Sequence, residues 1–240
     1  MVVEKNFYIG FRMVDEKLRL KSGELLNLFT DIAAIHSESV GYKFAEGDTR
    51  WLLVGYSVKV FDKPKYAHEV LFRTWSRDYN SAFAIREFEV LSDTGTVIAT
   101  AMCHFVKYNI VNEKLEKITN DVMDAYVSER DRSNFNFEKL KRFVEPDGYD
   151  GEYEFCVDWR WIDLNHHLNN SHYVDLAERI VLEAYGVDVG EYNFDVTYKA
   201  QVKEGTKLKC LYRQYEDKYV VSIKSIDGKT LHGGVTFYKG

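Results

Sequence analysis

The sequence predicts an α+β protein built from one unit used twice. Two long stretches have helical apolar spacing. Each follows a strand-like aromatic stretch and precedes about four more strand-like stretches, and the two series end in similar hairpins.

In the first series the spacing predicts a helix over 23–41. Leu25, Leu26, Leu28, Phe29, Ile32, Ala33 and Ile35 form its apolar stripe, and Gly41 is its stop. The preceding segment, 7–15, reads as a strand. In the second series a strand is expected at 153–163. A helix follows, with Tyr173, Val174, Leu176, Ala177, Ile180, Val181 and Ala184 on one face and Gly186 as its stop. Strands are expected at 52–61, 69–77, 82–92 and 97–108, then at 194–202, 207–215, 219–226 and 230–238. With 17 Tyr and 15 Phe against 2 Pro, the composition favours sheet. Residues 88–97 parallel 221–230: Asp227-Gly228 signals a tight hairpin and Asp93-Thr94-Gly95 a longer one. The expected domains are 1–120 and 149–240. Between them 121–148 reads as a linker, polar and charged around Ser128-Glu129-Arg130-Asp131-Arg132-Ser133. One long helix against a curved antiparallel sheet is the hotdog arrangement. Two tandem copies predict an intramolecular pseudo-dimer, by analogy of fold.

A hydrophobic content of 45% over 240 residues supports a real core and argues against global disorder. The net charge of −6 lacks the basic stripe of a general nucleic-acid binder. Cys103, Cys156 and Cys210 are far apart and form no CxxC pair, which argues against a cysteine zinc or dithiol site and suits a reducing cytosol. No secretory h-region opens the chain, and no apolar run approaches the roughly 18 residues of a membrane span. The expected location is cytoplasmic, with neither nucleic acid nor membrane as partner.

Chemistry concentrates between Asp163 and Tyr173. Asp163, Asn165 and His167 sit at period-two spacing, which in an extended segment points all three to one side. Asn169, Asn170 or Ser171 can cap the helix that follows, and its first backbone N–H groups can receive an oxyanion. An acid, a base and a helix N-terminus brought together can bind and hydrolyse a carbonyl compound. His166, His167 and His172 fit no common zinc spacing, so neither metal nor cofactor is expected.

The run Trp161-Ile162-Asp163-Leu164-Asn165-His166-His167-Leu168-Asn169-Asn170-Ser171-His172-Tyr173 matches the pattern W-x-D-x-N-x-H-x-N-N-x-x-Y. In this it resembles the acyl-(acyl carrier protein) thioesterases, plant and bacterial enzymes with two fused hotdog domains. The strands from Trp51 and Glu69 resemble the N-terminal domain of that family, so the resemblance covers nearly the whole chain. It implies hydrolysis of fatty acyl thioesters on acyl carrier protein in fatty acid biosynthesis, with Asp163, Asn165 and His167 catalytic. It also implies an acidic residue, followed in the plant enzymes by Cys, in the strand after the second helix. Gln201 and Val202 stand there, and Glu204 is the nearest carboxylate. A thiol nucleophile is therefore disfavoured. Water is the expected nucleophile, activated by Asp163, with attack by Asp163 itself to form an anhydride as the lesser alternative; Gln201 is able to hold the water but not to act as a base. Asp15 is the counterpart of Asp163, yet no Asn-x-His follows it. The first half then reads as non-catalytic and supplies the acyl pocket, with Phe29, Ile32, Ile35, Trp51 and Trp75 as candidate lining. Docking of an acidic carrier protein points to Lys63, Lys65, Arg73, Arg77, Arg86, Lys139, Lys141 and Arg142. A homodimer of pseudo-dimers is one possible assembly.

Three rivals stand beside this reading: a coenzyme A thioesterase, a hotdog dehydratase or hydratase, and a non-catalytic acyl-binding module. The intact acid–Asn–His set argues against the last. No G-x-S-x-G elbow of an α/β-hydrolase is present.

Overall fold

The structure is a computed structural model and describes residues 1–43, 46–137 and 139–240. Its chain order is β1 (Val2–Tyr8), α1 (Ser22–Ser39), β2 (Thr49–Val60), β3 (Glu69–Tyr79), β4 (Ala84–Leu91), β5 (Val97–Asn109), β6 (Lys114–Glu116), α2 (Asn120–Asp124), β7 (Gly151–Cys156), α3 (Ser171–Tyr185), β8 (Asn193–Tyr198), β9 (Lys207–Gln214), β10 (Lys218–Ser225) and β11 (Leu231–Tyr238). Among the described residues no helix is long and apolar enough to cross a membrane. The chain divides into two compact units, Met1–Leu20 with Asn27–Leu140 and Lys21–Leu26 with Lys141–Gly240.

The first unit carries an antiparallel sheet in the order β1-β3-β4-β5-β2, with β6 on β5. Phe29 of α1 is fully buried against Tyr56, Phe72 and Phe88, with ring centroids 4.6 to 6.1 Å apart. Each such burial contributes about 1.5–3 kcal/mol. Phe29 of the predicted stripe thus meets the sheet, and Ile32 and Ala33 beside it are buried, whereas Ile35 is exposed.

The second unit repeats the plan in the order β8-β11-β10-β9-β7. Tyr173, Val174, Ala177, Ile180 and Val181 form the buried face of α3, which packs on β9, β10 and β11. Gly186 ends the helix at φ 66°, a left-handed cap that glycine adopts without steric cost, and its N–H returns to the Leu182 carbonyl at 2.9 Å.

Three expectations change. The strands read over 7–15 and 153–163 end at Tyr8 and Cys156, and short 3₁₀ turns follow at Phe11–Met13 and Trp159–Trp161. The strand read over 194–202 ends at Tyr198, because the Lys199 and Ala200 N–H groups both turn to the His232 carbonyl. The first part of the segment read as a linker packs on the first sheet. Met123 and Tyr126 are buried with Ala84 and Ile118, and Phe135 with Ile85 and Met102. The fully buried Glu87 carboxylate accepts the Ser133 hydroxyl and the Asn134 N–H, each at 2.7 Å, and pairs with Arg77 at 3.1 Å. Polar composition concealed this because the anchoring apolar residues follow no regular period. The next stretch belongs to the second unit, where Tyr149 donates to Ser222 at 3.0 Å and Lys224 pairs with Glu145 at 2.6 Å.

Gly233 of β11 leaves room for α3. A Cβ there would lie 2.7 Å from the buried Tyr173 ring and 2.9 Å from the Thr197 carbonyl. Neither a strand backbone nor a buried ring gives way cheaply. Gly233→Ala is expected to cost about 1–3 kcal/mol, read as a lower urea midpoint.

Candidate active site

The segment from Ile162 to Leu168 is a chain reversal rather than an extended strand. Ile162 and Leu168 form an antiparallel bridge. The Asp163 N–H donates to the His167 carbonyl at 2.8 Å and the His166 N–H to the Asp163 carbonyl at 3.0 Å, with His166 left-handed at φ 62°. The Asp163 side chain closes the turn: Oδ1 accepts the N–H groups of Asn165 at 2.8 Å and His167 at 3.2 Å. Among the described residues Oδ2 has only the Asn165 Nδ2 group, at 3.4 Å. The turn gathers Asp163, Asn165 and His167, where period-two alternation predicted a pleat. His166 is exposed.

His167 is half-buried, and among the described residues its fully buried Nδ1 has no hydrogen-bond partner. Burial pushes its basicity below the usual imidazole range, the charges of Lys203 and His166 add to this, and Asp163 opposes them. The ring is therefore neutral near pH 7, able both to accept and to give a proton. An unpartnered buried nitrogen is costly in a stable fold and is a mark of a site that receives a water or a substrate.

The β8–β9 connection lies against this loop, since the Leu168 N–H donates to the Val202 carbonyl at 2.8 Å. Gln201, just before, is exposed. Lys203, just after, was not singled out in the sequence; its effect on His167 depends on a loop packing that no local pattern records.

At the start of α3, Asn169 is the cap: its Oδ1 accepts the Ser171 N–H at 3.0 Å and the Ser171 hydroxyl at 3.1 Å. Its own N–H goes to the Trp161 carbonyl at 2.8 Å. Two of the three amides read as oxyanion donors are thus already engaged. Among the described residues the Asn170 N–H has no such bond, while the Asn170 carbonyl accepts the Tyr198 hydroxyl at 3.1 Å. His172 lies beside Trp161, ring centroids 5.5 Å apart, with Nδ1 3.5 Å from Asp175.

The first half contains the same loop with different chemistry. Asp15 accepts the N–H groups of Lys17 at 2.9 Å and Arg19 at 2.8 Å, Val14 bridges Leu20, and Leu18 is left-handed at φ 60°. Arg19 occupies the place of His167, and its guanidinium pairs with the Asp15 carboxylate at 2.7 Å. Among the described residues no Lys or Arg pairs with Asp163 in that way.

The residues named for an acyl pocket do not share one wall. Phe29 and Ile32 are fully buried in the helix–sheet core, whereas Ile35 is exposed. Trp51 packs beside Ala84, Ile118, Met123 and Tyr126. Trp75 is fully buried; its indole N–H donates to the Arg132 carbonyl at 3.1 Å, and the Arg132 guanidinium lies 4.3 Å from its ring. The docking cations divide as well. Lys63 and Arg86 are buried, and Arg73 and Arg77 are paired with Glu4 and Glu87; Lys65, Lys139, Lys141 and Arg142 are exposed. Lys141 and Arg142 line a cavity of about 610 Å³ on the second unit with Asp195, Lys218, Thr236 and Tyr238. Burial pushes the Cys103 and Cys210 thiols far up, which removes them as nucleophiles, and the exposed Cys156 contacts the Gly205 carbonyl at 3.4 Å. Among the described residues no three His, Cys, Asp or Glu side chains are placed to share a metal ion.

Residues 1–126 match the family described as the acyl-ACP thioesterase N-terminal domain, and residues 145–234 its C-terminal domain. Oleoyl-acyl carrier protein thioesterase 1, chloroplastic, of Arabidopsis thaliana is 24% identical over 172 residues, which are 62% of this chain and 46% of that protein. The chain thus spans about half the length of the curated relatives it matches. The crystal structure of an acyl-ACP thioesterase from Bacteroides thetaiotaomicron superposes with a TM-score of 0.84 at 20% identity, covering 99% of this chain and 97% of that one. The 12:0-ACP thioesterase from Umbellularia californica superposes with a TM-score of 0.79 at 17% identity, covering 99% and 96%. These likenesses show the fold, the tandem hotdog.

The electrostatics of the loop have a direct readout. In an NMR titration the His167 ring is expected to show a midpoint below 6.5. Asp163→Asn removes the one opposing charge and is expected to lower that midpoint further; an upward move would exclude the arrangement described.

Proposed function

Because the chain belongs to the acyl-ACP thioesterase family, we propose that it hydrolyses fatty acyl thioesters of acyl carrier protein to free fatty acid and carrier thiol. The observation that carries this reading is the contrast between the paired loops. Arg19 neutralises Asp15, whereas Asp163 keeps a lightly engaged Oδ2 beside a neutral His167 with an unpartnered Nδ1.

In this mechanism Asp163 removes a proton from a water whose oxygen adds to the thioester carbonyl carbon. The tetrahedral oxyanion is received by the Asn170 N–H and the Asn165 amide. Its collapse breaks the carbon–sulfur bond, and His167 relays the abstracted proton to the departing thiolate. Gln201 sits on the neighbouring connection, where an amide can hold the water. A preorganised oxyanion donor is worth about 3 kcal/mol in a dry site, and a positioned base roughly 10²–10⁴-fold. We assign the first unit to the acyl chain, as the residue-level resemblance implies, and place the protein in a reducing cytoplasm.

Free-thiol release from a series of acyl carrier protein thioesters, short to long, tests the reading. Wild type is expected to show a chain-length optimum, and Asp163→Ala to fall a hundredfold or more while its circular dichroism is unchanged. Faster turnover of the matched coenzyme A thioesters would reassign the acceptor. Turnover that survives the substitution would reject Asp163 as the base.

A further inference from the structure

Three hydrogen bonds fix the backbone on either side of Asn170 at the start of α3. Upstream, the Asn169 N–H donates to the Trp161 carbonyl at 2.8 Å. Downstream, the Ser171 N–H donates to the Asn169 Oδ1 at 3.0 Å, and the Tyr198 hydroxyl donates to the Asn170 carbonyl at 3.1 Å. The first two are local to the loop and its cap. The third comes from 28 residues further along the chain, at the last position of β8. Of the three, it alone ties the helix start to the sheet.

Tyr198 is itself held. Its ring stands edge-on to the buried Tyr173 ring, with centroids 5.2 Å apart and an interplanar angle of 81°. Its backbone pairs with Gly233, the position where a Cβ would strike the same Tyr173 ring. The strand stops directly after it, where Lys199 and Ala200 turn to the His232 carbonyl. The same connection then offers the Val202 carbonyl to the Leu168 N–H at 2.8 Å. The end of β8 thus grips the Asp163 loop at two points, at Leu168 next to His167 and at Asn170.

The repeated fold does not require a hydroxyl here. In the first sheet Val90 faces Ala99, and Ala99 faces Val60; in the second, Ile223 faces Gly233, and Gly233 faces Tyr198. Since the two hairpins correspond, the half whose Asp15 is paired with Arg19 has the aliphatic Val60 in the place of Tyr198. At the same distance from Asp15, Ser22 stands where Asn170 follows Asp163.

We propose that Tyr198 is a positioning residue for the hydrolysis. Its hydroxyl, acting through the Asn170 carbonyl, fixes the adjoining backbone so that the Asn170 N–H is aimed at the oxyanion. The role rests on the hydrolytic reading and adds to it a residue that acts only through its neighbour. A preorganised donor needs no reorientation as charge develops, and a misplacement of about 1 Å costs roughly a hundredfold in rate.

Tyr198→Phe tests this, because it keeps the ring against Tyr173 and removes only the hydroxyl. Tyr149→Phe is the control: it too loses a tyrosine hydroxyl of the second unit, one that bonds Ser222 and Glu145. Both are assayed by free-thiol release on the carrier protein thioester that wild type turns over fastest. Tyr198→Phe is expected to lower kcat about ten- to a hundredfold, with KM changed less than about twofold. Its urea midpoint is expected to fall no further than that of Tyr149→Phe, which keeps the wild-type kcat. In amide NMR spectra without substrate, the Asn170 resonance is expected to move in Tyr198→Phe and to stay in Tyr149→Phe. Undiminished kcat in folded Tyr198→Phe, an equal loss of kcat in both variants, a rise in KM alone, or an unmoved Asn170 resonance would each overturn the proposal. If Tyr198→Phe does not fold, difluorotyrosine placed at position 198 replaces it. The kcat is then expected to fall with rising pH as that more acidic phenol ionises and stops donating, and a profile equal to that of wild type would overturn the role. A wild type inactive on every thioester overturns the hydrolytic reading and this role with it; an active wild type with an unaffected Tyr198→Phe overturns this role alone.

Discussion

The Asp163 carboxylate closes the turn that carries it, and the rest of the site hangs from that closure. By holding the amides of Asn165 and His167 on one oxygen, it sets the loop between the Trp159–Trp161 turn and α3. The loop in turn presents His167 beside the β8–β9 connection and delivers Asn169 to the start of α3 as its cap. Charge-assisted hydrogen bonds to backbone are strong and directional, so a single acidic residue specifies a local conformation that its neighbours need not enforce. This explains how the neighbours are free to differ.

That freedom is visible in the duplicated loop. Asp15 makes the same backbone bonds, and the same left-handed residue follows three positions later. The residue after that decides the chemistry. Arg19 turns the carboxylate into half of an ion pair, a structural element; His167 leaves it available and adds a neutral ring with an unsatisfied nitrogen. Backbone geometry is common to the two halves, and reactivity is set by one side chain.

The cores diverge in the same way. Both units bury a helix on an antiparallel sheet, but where the second closes its helix end with Tyr185 and Tyr219, the first buries Arg86 and His36. A duplicated fold tolerates this because sheet register and helix contact rest on residues such as Phe29, Phe72 and Phe88, which the polar cluster does not disturb.

Helix and strand order followed from apolar period alone, since the stripe from Leu25 to Ala33 and that from Tyr173 to Val181 are the buried faces themselves. The Asp–Asn–His set was also legible, because three polar residues so close in sequence stay close however the chain bends. The bend itself was not legible: period-two spacing describes a strand, and only the Ile162–Leu168 bridge and the Asp163 bonds make it a turn. Nor did the sequence show that Asn169 uses up the Ser171 amide, that Lys203 acts on His167, that polar residues around Ser133 embrace a buried Glu87, or that Arg86 lies inside. Local periodicity reports which face of an element avoids water. Which polar groups meet, and which are left without a partner, depends on contacts between residues far apart in the chain, and tertiary packing alone decides them.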